Sequence, residues 1–577
     1  MSPKLAYPLP GVIAGPRRWL LARLVGNGML QAVAALTAAV LVHRAFGNLI
    51  GRSGDAQDTM LTILLGGLGL MACAVILAFL RTVERGDAER MGQGYVTELR
   101  MVLFDCLSAM SPRGLQRRSR GAVVLRFIGD LKMLRQCISL GLARILVAAI
   151  ATVLALSALA YADPGLAAAA ALVIGLGLIA LAALGERTRA AMREARRRQG
   201  YLSANVNEKV ASIAVVQAFG QAGRERSHLL RQSERLRDAM VEQTRRSATL
   251  RGVADFTAAM ASAAVLLVGA LEVSLGTTTP AVVVAAMTVV GMLVPRLRDL
   301  GQAFGYWNGA QVAWRKLEEF LASPGTLGEE PGALGLALAG GNVEFRGVKV
   351  GGSLRGFNAI AQAGKVTAIV GPNASGKSTL LALAARLLDP DAGQVLIDGQ
   401  DIAMHSLRSV HRSIGMVSPD LPPLRGTIEK NLKYRWPEAS DAALARVRAL
   451  CGIDEMLANF PLGIETRVAE GGINLSFGQR QRIVLARALL GNPPVLLLDE
   501  ADANLDANSG KILERILADY EGTVLLVTHR LDRAAAADEI WYVEDGMLLE
   551  SGPPDELLRR AGPTARLFRT HVTLLAS

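Results

Sequence analysis

Six uncharged apolar runs crowd the first 300 residues of this 577-residue chain, at 24–42, 60–80, 145–162, 165–185, 256–271 and 273–295. A helix rises about 1.5 Å per residue, so about 20 apolar residues match a hydrocarbon core of about 30 Å. One such run fits a buried helix of a soluble protein; six do not. Inside lipid every backbone N–H and C=O must find its partner within the protein, and helices solve this for runs of this length. The last run is broken by Gly276-Thr277-Thr278-Thr279-Pro280, which ends the fifth span near Leu275 and starts the sixth at Pro280. With their flanks, the spans are placed at 24–44, 60–80, 143–162, 165–185, 252–275 and 280–300, inside a membrane domain of residues 19–321.

The connections alternate in kind. Residues 47–59, 163–164 and 276–279 are short and nearly free of positive charge, whereas 81–144 and 186–251 are long and crowded with arginine. The positive-inside rule puts the long ones in the cytoplasm. Much of the +12 net charge sits there, so it is read as headgroup contacts and solvated helix faces, and no nucleic-acid partner is expected. Residues 1–18 lack a small-residue cleavage site after a short apolar core and read as a cytoplasmic lead-in. Arg144, Asp255 and Glu272 fall near span ends, where water or headgroups solvate them. Cys73, Cys106, Cys137 and Cys451 show no metal spacing.

A Gly- and Pro-rich connector, residues 322–341, separates this half from residues 342–577, where strand and helix patterns alternate as in an α/β domain with a largely parallel sheet. There an apolar strand, 366–370, runs into Gly371-Pro372-Asn373-Ala374-Ser375-Gly376-Lys377-Ser378-Thr379 and then a helix. Strand, glycine loop, Gly-Lys-Ser and helix make a phosphate loop: its backbone N–H groups converge on phosphate oxygens, Lys377 reaches the terminal phosphates, and the Ser378 hydroxyl reaches Mg²⁺. The strand 495–498 ends in Asp499-Glu500. The first acid suits Mg²⁺ and the second suits polarising an attacking water. ATP and Mg²⁺ are the expected cofactors, with Glu500 as the base.

Six spans, two long basic loops and one ATPase domain resemble an ABC transporter of the exporter type. The implied fold is an all-α six-helix membrane domain followed by an α/β ABC ATPase domain. Residues 121–131 and 210–219 fall where that family has its coupling helices. Leu475-Ser476-Phe477-Gly478-Gln479 resembles the family's signature, with Phe477 at a position usually held by glycine. The resemblance implies that Ser476, Gly478 and Gln479 complete the nucleotide site of a second ATPase domain, that Asp506 lies at the dimer seam, and that His529 contacts the γ-phosphate. One such domain per chain makes it a half-transporter, so the implied partner is a second half-transporter chain, with a homodimer favoured over a heterodimer.

Two positions depart from the family. Pro419 stands where a metal-contacting glutamine is usual, and proline has no side-chain amide. Asp420, the next residue, offers oxygen ligands and is the expected substitute at the metal. No aromatic occurs in 348–353, where the family stacks adenine, so ATP binding is expected to be weaker and GTP to be used; Phe357 reads as core of the next strand. The expected function is ATP-driven efflux of a lipid or amphipathic small molecule by alternating access. The alternatives are an ATP-gated regulator that does not pump, and a peptide exporter. The Ala- and Arg-rich composition points to a bacterial inner membrane, with lipid around the spans and the ATPase domain in the cytoplasm.

Overall fold

The computed structural model describes residues 9–50, 56–116, 120–322, 327–328, 332–503, 505 and 507–576. They form two compact units: a helical one up to Pro324, and an α/β one from Gly325 onward that also takes in the short segment Ala109–Gly114.

Six long helices build the first unit: Arg17–Ile50, Ala56–Ala109, Ala143–Ala162, Pro164–Ala211, Ala222–Ser274 and Pro280–Leu321. Five of the helices meet the length and hydropathy needed to cross a membrane, while the apolar part of the last, Pro280–Arg296, is shorter. Most run well past the apolar residues. The second has 54 residues, about 80 Å at 1.5 Å per residue, far more than a bilayer core. The basic connections are therefore largely helix, because their long charged side chains favour helix and point away from the packed face. Short helices interrupt them at Arg120–Leu125 and Ile213–Ala218, and the second of these breaks away at Ser212.

Helix starts follow local chemistry. Asp163 is extended (φ −158°), and its carboxylate accepts the N–H groups of Gly165 at 2.9 Å and Leu166 at 3.1 Å. Pro164 follows in the first turn, where its missing N–H costs nothing. Pro280 opens the last long helix in the same way. Small buried residues such as Ala170, Ala258, Ala261 and Ala286 let these helices approach closely. Arg17, almost fully buried, holds the lead-in: it donates to the carbonyls of Gly11 (2.8 Å) and Val12 (3.0 Å) and makes a bidentate pair with Glu98 at 2.6 and 2.8 Å.

The second unit holds a six-stranded sheet. Its strands run in the order Met547–Gly552, Glu539–Glu544, Val366–Val370, Thr523–Val527, Val495–Asp499, Ile414–Val417, and every neighbouring pair after the first is parallel. The two central strands, Val495–Asp499 and Thr523–Val527, are buried along their whole length, as continuous aliphatic runs require. An antiparallel sheet carries Leu354–Ala361, Val343–Val350 and Ala392–Ile397. Phe357 is indeed core: it meets Phe345 edge to face at 5.7 Å, beside Trp541.

A single carboxylate fastens the connector to this sheet. Asp398 accepts four successive backbone N–H groups, from Ala339, Gly340, Gly341 and Asn342, at 2.8 to 3.0 Å. Partial burial pushes its pKa up, but the four donors outweigh burial and hold it below the usual Asp value. A depressed folded pKa stabilises fully above the unfolded value, about 3.9, and the contribution disappears as pH falls through the folded value. Asp398→Asn is therefore expected to cost about 1–3 kcal/mol at neutral pH. The gap to wild type should close below about pH 4. Thermal unfolding of both proteins across pH checks this; a pH-independent gap contradicts it.

Candidate functional site

Parallel register gathers the site. Val527 lies beside both Ile369 and Asp499, and Val417 lies beside Leu498. Four strand ends therefore deliver Gly371, Thr528–His529, Asp499–Glu500 and Ser418 to one edge of the sheet, where ligands bind in open parallel sheets.

The loop after Val366–Val370 has the backbone that its glycines permit. Gly371 has φ +144°, and a Cβ there would lie 2.0 Å from the Val543 carbonyl oxygen. Gly376, at φ +105°, starts the helix Lys377–Ala384, and a Cβ there would meet the Ser353 carbonyl at 2.8 Å. Only glycine fits either position. Between them Ala374 takes a left-handed φ of 64°. The curl of Pro372, Asn373, Ala374 and Ser375 before a helix start makes an anion cradle. Ser375 Oγ is buried with no partner among the described residues, which suits a loop built to meet a polar ligand.

Lys377 is nearly buried, and its Nζ donates to the carbonyls of Gly371 (2.9 Å) and Pro372 (2.7 Å). Burial pulls its pKa down, opposed by Glu500 and Asp499. The Ser378 hydroxyl donates to Asp499 Oδ1 at 3.1 Å, and that of Ser418 points to Oδ2 at 3.4 Å. Burial raises the Asp499 pKa; the Ser378 and Ser418 hydroxyls work against it, while Glu500 and Asp420 add to the rise. Serine hydroxyl and carboxylate form an all-oxygen donor set suited to a hard cation. Thr379, behind Ser378, is buried in the same helix.

Glu500 has a left-handed φ of 48°, a strained position for a residue with a side chain. Its N–H donates to the Val527 carbonyl at 3.0 Å, which holds the strain in place. The turn sends the carboxylate out of the sheet, and Oε1 lies 3.3 Å from His529 Nε2. Beneath His529, the Thr528 hydroxyl donates to buried Asp502 and accepts the N–H of Arg530 at 2.9 Å.

Ser476 and Gln479 form a reciprocal capping box at the start of the helix Phe477–Leu489: the Ser476 hydroxyl accepts the Gln479 N–H, and the Gln479 side chain accepts the Ser476 N–H at 2.9 Å. Ser476 and Phe477 are exposed, and Gly478 lies in the first helical turn. The Phe477 ring faces the Arg480 guanidinium at 5.7 Å. Asp506 lies outside the described residues.

Asp420, the expected substitute for the missing glutamine, makes no hydrogen bond to Asp499 among the described residues, although its charge adds to the rise in the Asp499 pKa. Asp420 is exposed and lines a cavity of about 680 Å³ with Arg408, His411 and Arg412. Pro419 instead lines a separate cavity of about 290 Å³ with Asp499, Glu500 and Phe477. The side chain in hydrogen-bond reach of Asp499 from this segment is Ser418. Sequence reasoning missed Ser418, Asp502 and Gln481, whose side-chain N–H donates to the Ala501 carbonyl at 2.9 Å. For Ser418 a signal existed: it follows a strand whose last residue pairs with the one before Asp499.

Two family models match the chain. That described as ABC transporter transmembrane region covers residues 27–296, and that described as ABC transporter covers 354–503. The chain is 28% identical to an ATP-dependent lipid A-core flippase of Syntrophus aciditrophicus, over 83% of this chain and 81% of the relative. It is 29% identical to a multidrug efflux ATP-binding/permease protein of Mycobacterium bovis, over 96% of this chain and 46% of that longer relative. A solved structure of a bacterial Atm1-family ABC exporter with ATP bound superposes with a TM-score of 0.85 at 26% identity, covering 96% of this chain and 98% of that one.

Proposed function

Because the chain belongs to the ABC transporter family, as an exporter with membrane region and ATPase fused in one polypeptide, we propose that it is a half-transporter that pumps an amphipath with an anionic head out of the membrane as a dimer, a homodimer by preference. The observation that carries the ATPase reading is the convergence of Lys377, Ser378, Asp499, Glu500 and His529 at adjacent strand ends. Lys377 and the N–H groups of 371–379 hold the phosphates of ATP. Glu500 orients the attacking water and accepts its proton. His529, beside Glu500, holds the γ-phosphate. Ser378 and Asp499 would hold Mg²⁺, which supplies charge neutralisation at the phosphates. Ser476, Gly478 and Gln479 act on the ATP of the partner. The ATPase unit lies in the cytoplasm, at a bacterial inner membrane.

The helical unit supports the substrate class. A cavity of about 260 Å³ is lined by Arg81, Arg85, Arg144 and Arg296, with Glu84 and Asp299. Arg144 pairs with Asp299 at 3.0 Å and Arg296 with Glu84 at 3.6 Å, which leaves Arg81 and Arg85 without a carboxylate partner among the described residues. Arg81 and Arg296 also border a narrow apolar cleft of about 40 Å³ between Leu36, Leu77 and Leu293. A basic pocket at the span ends suits an anionic lipid headgroup. The relatives named as a lipid A-core flippase and a multidrug efflux protein agree with an amphipathic substrate.

Reconstitution in liposomes tests this. ATP should drive movement of a fluorescent anionic phospholipid and not of its zwitterionic analogue, with a carboxylate-bearing amphipathic drug as the non-lipid arm. Arg81→Gln with Arg85→Gln should weaken stimulation of the ATPase by the anionic lipid about tenfold or more, the loss of a charge-assisted hydrogen bond. ATP hydrolysis that moves no probe would instead favour a gating protein.

A further inference from the structure

We propose that the helical unit carries a second ligand site, for a water-borne organic anion with a flat aromatic body, in a cavity of about 760 Å³ lined by Tyr95, Trp307 and Trp314. The site is separate from the arginine cavity at Arg81 and Arg85, and it stands whatever that cavity takes. Its volume is that of sites for drug-sized ligands.

Five segments distant in sequence build the wall. Tyr95 comes from the helix Ala56–Ala109, Arg193 from Pro164–Ala211, and both tryptophans from Pro280–Leu321. Val12 closes an edge from the lead-in, which buried Arg17 pins through the carbonyls of Gly11 and Val12. The fifth is a π-helical segment, Cys137–Leu142. In an α-helix, residues five apart point to different faces. The wider π turn stacks residue i over i+5, so Cys137 and Leu142 both reach the cavity. Such turns are rare and concentrate at functional sites.

The lining selects the ligand. Tyr95 is fully buried, with the Arg17 guanidinium 5.7 Å from its ring centre, and its hydroxyl has no partner among the described residues. Burial pushes its pKa up, opposed by Arg17, so the hydroxyl stays a neutral donor. An orphaned buried hydroxyl is costly until a ligand satisfies it. The Trp314 indole N–H donates to Glu318 Oε1 at 2.6 Å, which fixes the ring. Flat aromatic bodies pack well against such rings.

Three cations, Arg193, Arg315 and Lys316, line the cavity against two carboxylates, Glu318 and Glu319. Glu318 is engaged by Trp314, and Glu319 is engaged as well. The three cations have no carboxylate partner among the described residues. Aromatic rings alone would welcome a cation, but this surplus of unpaired positive charge repels one and attracts an anion. Every lining residue falls outside the six apolar spans, in the lead-in, the connections and the end of the last helix. The ligand therefore arrives from water and not from the hydrocarbon.

The test uses the full-length protein in nanodiscs of zwitterionic lipid, with empty nanodiscs as background. The probe is pyrene-1-sulfonate, read by energy transfer from tryptophan to pyrene. Uncharged pyrene-1-methanol and cationic pyrene-1-methylamine are the charge controls. Wild type should bind the sulfonate saturably and at least tenfold more tightly than either control. Tyr95→Phe should weaken binding about three- to tenfold, the loss of one hydrogen bond. Without ligand it should melt at or above wild type, because the removed hydroxyl had no partner. Arg315→Gln with Lys316→Gln should weaken binding tenfold or more. Arg81→Gln with Arg85→Gln should leave it unchanged. Absence of saturable binding, or equal affinity for the methylamine, overturns the proposal. So does Tyr95→Phe with wild-type affinity, or loss of binding in the Arg81 and Arg85 variant, which would place the probe in the other cavity. Displacement of the probe by anionic phospholipid added to the nanodiscs would make the occupant a lipid and overturn the water-borne source.

Discussion

Glu500→Gln is expected to lower ATP turnover by about 10²–10⁴-fold, the range associated with a general base. Nucleotide binding should be kept, because the phosphate loop and Asp499 are untouched. Glutamine matches glutamate in size, so the left-handed turn at φ 48° and its N–H bond to Val527 should survive. What is lost is a carboxylate able to take a proton, 3.3 Å from the His529 imidazole. Phosphate release, measured together with binding of a fluorescent ATP analogue, separates the two effects. Turnover within tenfold of wild type would remove Glu500 from the role of base. Loss of binding together with turnover would show that the substitution damaged the fold of the site and not its chemistry.

Gly371→Ala is expected to be the most damaging single change in the phosphate loop. The added methyl would sit 2.0 Å from the Val543 carbonyl oxygen, which is backbone in the adjacent buried strand and has nowhere to go. The residue would also have to keep φ at +144°, a region that an L side chain rarely enters. Strain of this kind costs about 1–3 kcal/mol, and the overpacking adds a similar amount. Both terms fall on the loop whose carbonyl receives Lys377 Nζ. ATP binding should therefore be lost while the α/β unit melts several degrees lower. Calorimetry of wild type and variant, with and without nucleotide, checks both. A variant that still gains thermal stability from added ATP would refute the steric argument.

These expectations show what was legible in the chain and why. The phosphate loop, the Asp499–Glu500 pair and the break at 276–280 are local: a few adjacent residues fix a turn or a strand end, and the local sequence carries the whole cause. The departure at Pro419 was visible too, but not that the Ser418 hydroxyl reaches Asp499. Chemistry pointed to Asp420, because a carboxylate is the natural metal ligand. The structure brings Ser418 into hydrogen-bond reach of Asp499, while Asp420, exposed, lines a cavity with Arg408 and Arg412. That choice depends on the pairing of Val417 with Leu498, between strands some 80 residues apart, and a one-residue slip would reverse which side chain faces the site.

The sequence by itself determined the class of each half: lipid-compatible helices first, a triphosphate-binding α/β unit second. Periodicity, apolar run length and glycine placement act over ten or twenty residues, and they suffice for that. Only the tertiary structure decided which groups meet. It placed four unrelated strand ends at one edge, set Glu500 against His529, and left Arg81 and Arg85 facing a cavity with no carboxylate paired to either among the described residues. Those meetings follow from strand register and helix packing between distant segments, where the free energy of burial, and not any local preference, selects the partner.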